Sequence, residues 1–309
     1  MYCVSLPIDG GAGRWQDRVE GSVAEGVALA RHTTYRVGGP AKYVVVPATV
    51  GDVYEVFVSG ENVFVLGSGS NVLFADAGFD GVVLKICHTL AHVSIHDGEV
   101  VVGAGRLLPS LVSSCVEVGL SGMEWAVGIP GTVGGAVCTN AGAFGSAMWD
   151  FVEYLDVIAA DGSPKRFGGG DVEHGYRFAR FPVSGPLAVT GAALRLKPSD
   201  ARRVYELTER YRARRGETQP VGLASAGCVF KNPSQGPSAG ELIDKAGLKG
   251  LARGDAVVST KHANFIVNEG GAVAADIYGL IEEIRRKVRD AYGVALELEI
   301  QLVGDFGND

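Results

Sequence analysis

The stretch at residues 128–145, GIPGTVGGAVCTNAGAFG, constrains this chain more than any other: six of its eighteen residues are glycine and none is charged. Backbone so bare of side chains can bring its N–H groups close to a bulky ligand, and glycine tolerates the positive φ angles such a loop needs. A phosphate or a dinucleotide suits that chemistry. The same residues without a ligand would form a tight, buried hairpin region. The chain holds 45 glycines in 309 residues, and they cluster. GSGSN, residues 67–71, directly follows the strand-like apolar run at 63–66 and reads as a phosphate-sized nest.

A Rossmann domain would explain such a nest, and its fingerprint needs a third glycine to let helix and strand pack. The sixth position from Gly67 is Val72, and the same count from Gly103 in GAGRLL reaches Leu108. Both fail. The residues after the first nest, VLFADAGFDGVVLKI, read as loop and strand rather than as the expected helix. Three glycine-rich loops without that fingerprint imply a dinucleotide held another way.

Composition narrows the classes further. Hydrophobic residues make up 47% and charged residues 20%, ordinary for a globular chain long enough for two or three domains. A net charge of −7 argues against nucleic-acid or membrane-surface binding, while leaving room for a local basic pocket. The five cysteines, Cys3, Cys87, Cys115, Cys138 and Cys228, are scattered, with no spacing suited to zinc, so a reducing compartment is expected and no metal. No apolar run approaches membrane-spanning length and the first 20 residues lack a signal-peptide pattern. The expected location is the cytoplasm.

In chain order, strands are expected at 43–46, 63–66, 100–102, 155–159, 187–196 and 265–267, and short helices at 52–58, 107–118 and from 241 to 246. GYRFARF, residues 175–181, reads as a cationic, aromatic loop. Residues 201–215, ARRVYELTERYRARR, have helical spacing with a strongly charged face whose basic groups read as solvated. A domain boundary is placed there. Residues 273–288 carry the most regular helical pattern, and 296–302 alternate as a final strand with Glu297, Glu299 and Gln301 on one face.

HTTYRVGGPA, LGSGSNVLFADAGFDGVVL, GMEWAVGIPGTVGGAVCTNAGAFG, YRFARF, AGCVFKNP, AGLKG, KHANFIVN and LELEIQLVG occur here in one order. Together they resemble the UDP-N-acetylenolpyruvoylglucosamine reductase family from about Ala28 to Gly304. The resemblance implies an α+β chain: a vanillyl-alcohol-oxidase-type FAD-binding fold in two subdomains, residues 1–87 and 88–198, and a C-terminal α+β substrate domain, 199–302, with 303–309 returning to the first. It also implies the shorter form of the family, without the loop whose tyrosine closes over substrate. FAD is the implied cofactor, with NADPH and UDP-N-acetylglucosamine enolpyruvate as the molecules it serves in peptidoglycan synthesis.

The resemblance assigns roles residue by residue. Arg177 in YRFARF would face the substrate carboxylate, where a guanidinium fork suits bidentate contact; from pattern alone a loop-tying salt bridge is an equal reading. Glu299 is matched in LELEIQLVG, although spacing cannot separate it from Glu297 and both would otherwise read as solvent-facing. Cys228 in AGCVFKNP stands where the family usually carries serine and would be the proton donor; a thiol of ordinary pKa, about 8.5, is mostly protonated near neutrality. The alternative for a free cysteine is a small buried hydrophobe. Flavin contacts are implied for Thr34, Arg36 and Gly38; for Gly67, Ser68, Gly69, Ser70 and Asn71; for Gly103, Ala104 and Gly105; and for Gly128, Ile129, Pro130, Gly131, Thr132, Gly134, Gly135, Ala136, Asn140 and Ala141. Tyr176, Lys231, Asn232 and His262 are implied near the sugar and diphosphate of the substrate.

Two rivals compete. An FAD-dependent hydroxy-acid or aldonolactone oxidoreductase fits the glycine-rich half but leaves AGCVFKNP and LELEIQLVG unexplained. A non-catalytic flavin- or nucleotide-sugar-binding sensor has only the cysteine as a hint.

Overall fold

The computed structural model describes residues 14–307; Cys3 and the glycine-rich start through residue 13 lie outside them. The chain opens with β1 (Ser22–Ala28), β2 (Pro40–Val46), α1 (Val50–Phe57), β3 (Val63–Leu66), β4 (Val72–Phe74) and β5 (Phe79–Lys85). Four of these strands form a sheet in the order β1-β2-β5-β3, with β5 parallel to both of its neighbours. No helix follows the GSGSN nest, in keeping with the failed Rossmann pattern. The start of α1 is held by Asp52, a buried carboxylate that accepts from the N–H groups of Glu20, Gly21 and Ala48 at 2.7–3.0 Å while Thr49 caps the helix. Such charge-assisted acceptance ties the residues leading into β1 and the approach to the helix onto its first turn, while Thr49 Oγ1 takes the orphan Asp52 N–H.

A second sheet is wholly antiparallel. It contains β6 (Val93–His96), β7 (Glu99–Gly103), β8 (Val152–Ala159), β9 (Pro164–Gly168) and, after the hairpin strands β10 (Glu173–Gly175) and β11 (Phe178–Arg180), β12 (Leu187–Arg195). The order is β9-β8-β12-β7-β6. Between β7 and β8 run α2 (Leu108–Glu117) and α3 (Val133–Thr139). Val45, Val53, Val82 and Leu84 of the first sheet region share one core with Val100, Leu111, Leu155 and Leu194 of the second, which brings the glycine loops of the two sheets to a common seam.

The remaining chain supplies α4 (Ala201–Thr218), α5 (Ala239–Lys245), β13 (Ala252–Arg253), β14 (Ala256–Val258), β15 (Ile266–Asn268), α6 (Ala274–Tyr292) and β16 (Gln301–Val303). The expected 3.6-residue stripe of α6 is real: Ile277, Leu280, Ile281, Ile284 and Val288 are fully buried, each contributing about 1.5–3 kcal/mol relative to exposure. Asp76, from the loop after β4, accepts from Ala274 N at 2.8 Å and Ala275 N at 2.9 Å, so a residue of the first region caps the helix of the last. β16 lies parallel to β4 and returns the chain to the first region.

Three expectations change. The glycine-rich stretch at 128–145 contains α3, started by Thr132 and ended by Asn140 in the left-handed region. GYRFARF, read as a loop, holds the two-residue turn and the second strand of the β10–β11 hairpin. The strand expected across 296–302 is a ladder strand only at Gln301–Val303. Its earlier part pairs with a different segment: Lys231 N donates to Glu297 O and Glu299 N to Val229 O, after which Gln301 N donates to Asn71 O. Changing partners bends the backbone at Glu299 and Ile300.

Candidate active site

At the carboxyl end of β3 the nest forms as its sequence requires. Gly69 has φ +68° and a Cβ there would run into the carbonyl of His32, so glycine alone fits. A Cβ on Gly67 would meet Thr132 Oγ1 at 2.5 Å, the point where the first nest touches the second glycine-rich stretch. Ser68 Oγ ties the two further by donating to Pro130 O at 2.8 Å. None of the backbone N–H groups of Gly67, Ser68, Gly69, Ser70 and Asn71 donates to a protein acceptor among the described residues. Unspent donors in consecutive residues are what a bound anion needs, and this observation fits the nest to a dinucleotide phosphate.

The second stretch behaves differently. Gly131 N donates to Ile129 O, Val133 N to Arg106 O, Gly134 N to Ala104 O and Gly135 N to Thr132 Oγ1, at 2.9–3.3 Å. These donors are already used, so 131–135 contributes shape and close approach. Asn140 is likewise engaged: Nδ2 donates to Gly175 O at 2.8 Å and Oδ1 accepts from Trp149 N at 3.1 Å. Gly175 begins the turn of the β10–β11 hairpin, so Asn140 braces the residues that carry Tyr176 and Arg177. Thr34 N donates to Gly69 O at 3.0 Å, tying the HTTYRVGG loop to the nest, and Arg36 and Gly38 both have positive φ. At the end of β7, Gly103 N donates to His92 O, Ala104 N to Thr190 O and Gly105 N to Leu90 O.

Arg177 occupies the second central position of the hairpin turn with φ +62°, a conformation that favours glycine and carries strain of about 1–3 kcal/mol for other residues. The strained turn delivers its guanidinium to Glu299: Nε lies 2.6 Å from Oε1, with the side chains 22% and 17% exposed. The Nε–H misses the line to the carboxylate, leaving an ion pair by distance rather than an aligned hydrogen bond. Glu297 points elsewhere, 79% exposed and 3.7 Å from Lys231 Nζ. The bend at Glu299 separates two glutamates that spacing alone could not.

Cys228 reaches the same place along the paired segment. Glu299 N donates to Val229 O at 2.8 Å, and Asn71 Nδ2 donates to Glu299 O at 3.1 Å, so the nest, the glutamate and the cysteine segment are laced together. Arg177, Cys228 and Glu299, far apart in sequence, therefore converge beside the nest.

Comparison with known proteins decides what this convergence belongs to. The family profile described as UDP-N-acetylenolpyruvoylglucosamine reductase, C-terminal domain, matches residues 219–303, and one described as FAD binding domain matches 41–168. A UDP-N-acetylenolpyruvoylglucosamine reductase of Desulfosudis oleivorans is 42% identical over 292 residues, covering 89% of this chain and 93% of that protein. One from Heliobacterium modesticaldum is 39% identical, covering 90% of each. The chain belongs to the UDP-N-acetylenolpyruvoylglucosamine reductase family. The crystal structure of the reductase from Thermus caldophilus superposes with a TM-score of 0.80 at 37% identity, covering 92% of this chain and all of that one. The cofactor of this family member is FAD, and the fold is the α+β, vanillyl-alcohol-oxidase-type arrangement expected.

In this reductase-family site, burial first and Glu299 second push the Cys228 thiol up to about 12, against the opposing pull of Arg177 and Arg215. The thiol is thus fully protonated at neutral pH, further from ionisation than an ordinary cysteine. Burial also raises the Glu299 carboxyl, opposed by Arg177 and then Lys231. Of the residues matched to substrate contacts, Tyr176 Oη accepts from Asn232 N at 3.3 Å, and Asn232 Oδ1 accepts from Ala239 N at 3.0 Å. His262 packs edge-on against Phe265, and burial, then Lys249, lower its pKa and keep the ring neutral.

Two residues at the site escape sequence reasoning. Arg215 lies on the helix whose basic groups read as solvated, yet it is 9% exposed. Its Nε donates to Val127 O at 2.9 Å and it approaches Trp125 O and the Phe144 ring, directly behind Gly128. Its position on the buried flank of α4, opposite the charged face, was the available signal. Asn264 is buried and clasps Phe230 on both backbone groups, Oδ1 accepting from N at 3.0 Å and Nδ2 donating to O at 2.8 Å, two residues from Cys228. No group of His, Cys, Asp and Glu suited to a metal ion occurs among the described residues, and no helix there is long and apolar enough to cross a membrane.

Proposed function

We propose that the protein reduces UDP-N-acetylglucosamine enolpyruvate to UDP-N-acetylmuramate at the expense of NADPH, a cytoplasmic step in peptidoglycan precursor synthesis. The observation that carries this reading is the convergence of Arg177, Cys228 and Glu299 beside an anion nest with unspent donors, in a member of this reductase family. Bound FAD, reduced by NADPH, supplies a hydride to the terminal carbon of the enol ether. The chain's own residues stabilise the resulting charge and deliver the proton.

Hydride addition spreads negative charge into the substrate carboxylate, and Arg177 is the cation placed to receive it. Its misaligned contact with Glu299 leaves guanidinium donors free to turn toward that carboxylate. Cys228 then gives the proton to the carbon next to the ether oxygen, so the double bond gains one hydride and one proton and the thiol is reloaded from solvent. Its high pKa makes it a slow nucleophile but a fully loaded acid. Glu299 disfavours the thiolate and anchors Arg177. Tyr176, Lys231, Asn232 and His262 are assigned to the sugar and diphosphate, Lys231 being the local cation suited to phosphate oxygens. The division into residues 1–87, 88–198 and 199–302 is supported by a separate sheet in each and by the return of β16 to β4. The short connection from Arg177 to β12 supports the open form without a closing tyrosine loop.

A purified, yellow protein that oxidises NADPH only while UDP-N-acetylglucosamine enolpyruvate is consumed is the expected result. NADPH oxidation or flavin reduction driven instead by hydroxy acids or aldonolactones, with the enolpyruvyl substrate inert, would overturn the reading. Binding of FAD without turnover of any of these would favour the sensor.

A further inference from the structure

Beside the nest stands a pair of basic side chains with no acidic partner. Lys85, the last residue of β5, is in parallel register with Leu66, the last residue of β3, from which the nest springs. Its ammonium is therefore carried to the carboxyl end of a parallel strand pair, where ligands of such sheets gather. Lys85 Nζ lies 3.0 Å from His32 Nδ1, and both side chains are half-buried. Among the described residues neither forms an ion pair with a carboxylate.

The geometry determines the histidine's state. An ammonium can only donate, so Nδ1 accepts, and the neutral ring carries its proton on Nε2. Burial first, then the positive charges of Lys85 and Arg31, lower the pKa of this ring. Its backbone is fixed as well: the His32 carbonyl fills the space where a Cβ on Gly69 would stand, and Thr34 N donates to Gly69 O. An ammonium whose one protein acceptor is the neutral His32 ring, the Nε2–H of that ring and five unspent backbone N–H groups thus lie together with no anionic partner among the described residues. A partly desolvated charge without a counter-ion gains by meeting an anion, and the partner this set of donors suits is an anion with several oxygens.

We propose that Lys85 and His32 form a second anchor for the FAD diphosphate, Lys85 supplying the charge and His32 its Nε2–H, alongside the N–H groups of 67–71. The inference rests on FAD as the cofactor and is independent of which substrate the reduced flavin serves. Loss of one charge-assisted contact is worth a factor of about ten or more in binding.

The test is release of FAD from diluted holoenzyme, followed by the rise of free-flavin fluorescence. Lys85→Met should release FAD about tenfold or more faster than the unsubstituted protein, His32→Phe by a smaller factor, and Lys85→Arg should recover most of the loss. Raising salt should speed release from the unsubstituted protein and affect Lys85→Met less. With FAD in excess, the KM values for NADPH and for the enolpyruvyl substrate should stay within about twofold. Melting of the FAD-saturated variants checks that each is folded. Release within about twofold in both Lys85→Met and His32→Phe would overturn the proposal. So would unchanged release with a raised NADPH or substrate KM, which would assign the pair to a different phosphate.

Discussion

The nest at residues 67–71 and the cluster of Arg177, Cys228 and Glu299 do their work by opposite means. The nest uses backbone N–H groups from consecutive residues, and its conformation is dictated locally by glycine at a left-handed position. The cluster uses three side chains from three distant segments, aimed by a strained hairpin turn, a bent segment and the extended segment paired with it. The first binds an anion through geometry that a short motif can encode. The second depends on how those segments meet, and Asn71, which donates to the Glu299 carbonyl, is the physical joint between them.

If the two regions are functionally separable, damage to one should leave the other's readout intact. Arg177→Gln should slow flavin reoxidation by the enolpyruvyl substrate about 10²- to 10³-fold, the scale of losing one charge-stabilising donor, while FAD release measured by fluorescence stays unchanged. A parallel loss of FAD would merge the regions. Gly69→Val forces a β-branched side chain into a left-handed position against the His32 carbonyl and should speed FAD release by about ten- to a hundredfold. Flavin that stays bound should still be reoxidised at close to the normal rate in stopped-flow traces.

Arg215→Met sharpens the comparison from behind. It leaves the buried carbonyls of Val127 and Trp125 without their donor and should lower stability by about 1–3 kcal/mol in denaturant melts. The smallest effect concerns Glu299. Its folded pKa is raised, so the stability it contributes is complete below the ordinary glutamate range and is lost as pH rises through the raised value. Glu299→Gln should therefore flatten that part of the Tm-against-pH curve, an outcome read by calorimetry between acid and neutral pH.

How far the sequence could be read follows the same division. The nest, its lack of a following helix and the α6 stripe were legible because each depends on neighbours in sequence. Glu299 was separated from Glu297 only by the family resemblance, since alternation continues through a bend that the pattern does not record. Arg215 was misread as solvated because a charged helix face hides one buried flank. α3 was missed because glycine density reads as loop, although Thr132 and Asn140 supply the cap and stop around it. Cys228 sits in a recognisable motif, but its raised pKa comes from burial and Glu299, neither of which is a sequence property. The same shift sets the reactivity of the thiol toward alkylating reagents: reaction at Cys228 should be slow near pH 7.5 and accelerate toward strongly alkaline pH, as mass-mapped alkylation rates would show.

The most direct test of the account is the pair of anaerobic half-reactions of Cys228→Ala. NADPH should bleach its flavin at close to the normal rate, and the enolpyruvyl substrate should then reoxidise it about 10²- to 10⁴-fold more slowly, with Cys228→Ser restoring reoxidation. Rapid reoxidation of the alanine variant would contradict the assignment of the proton to Cys228.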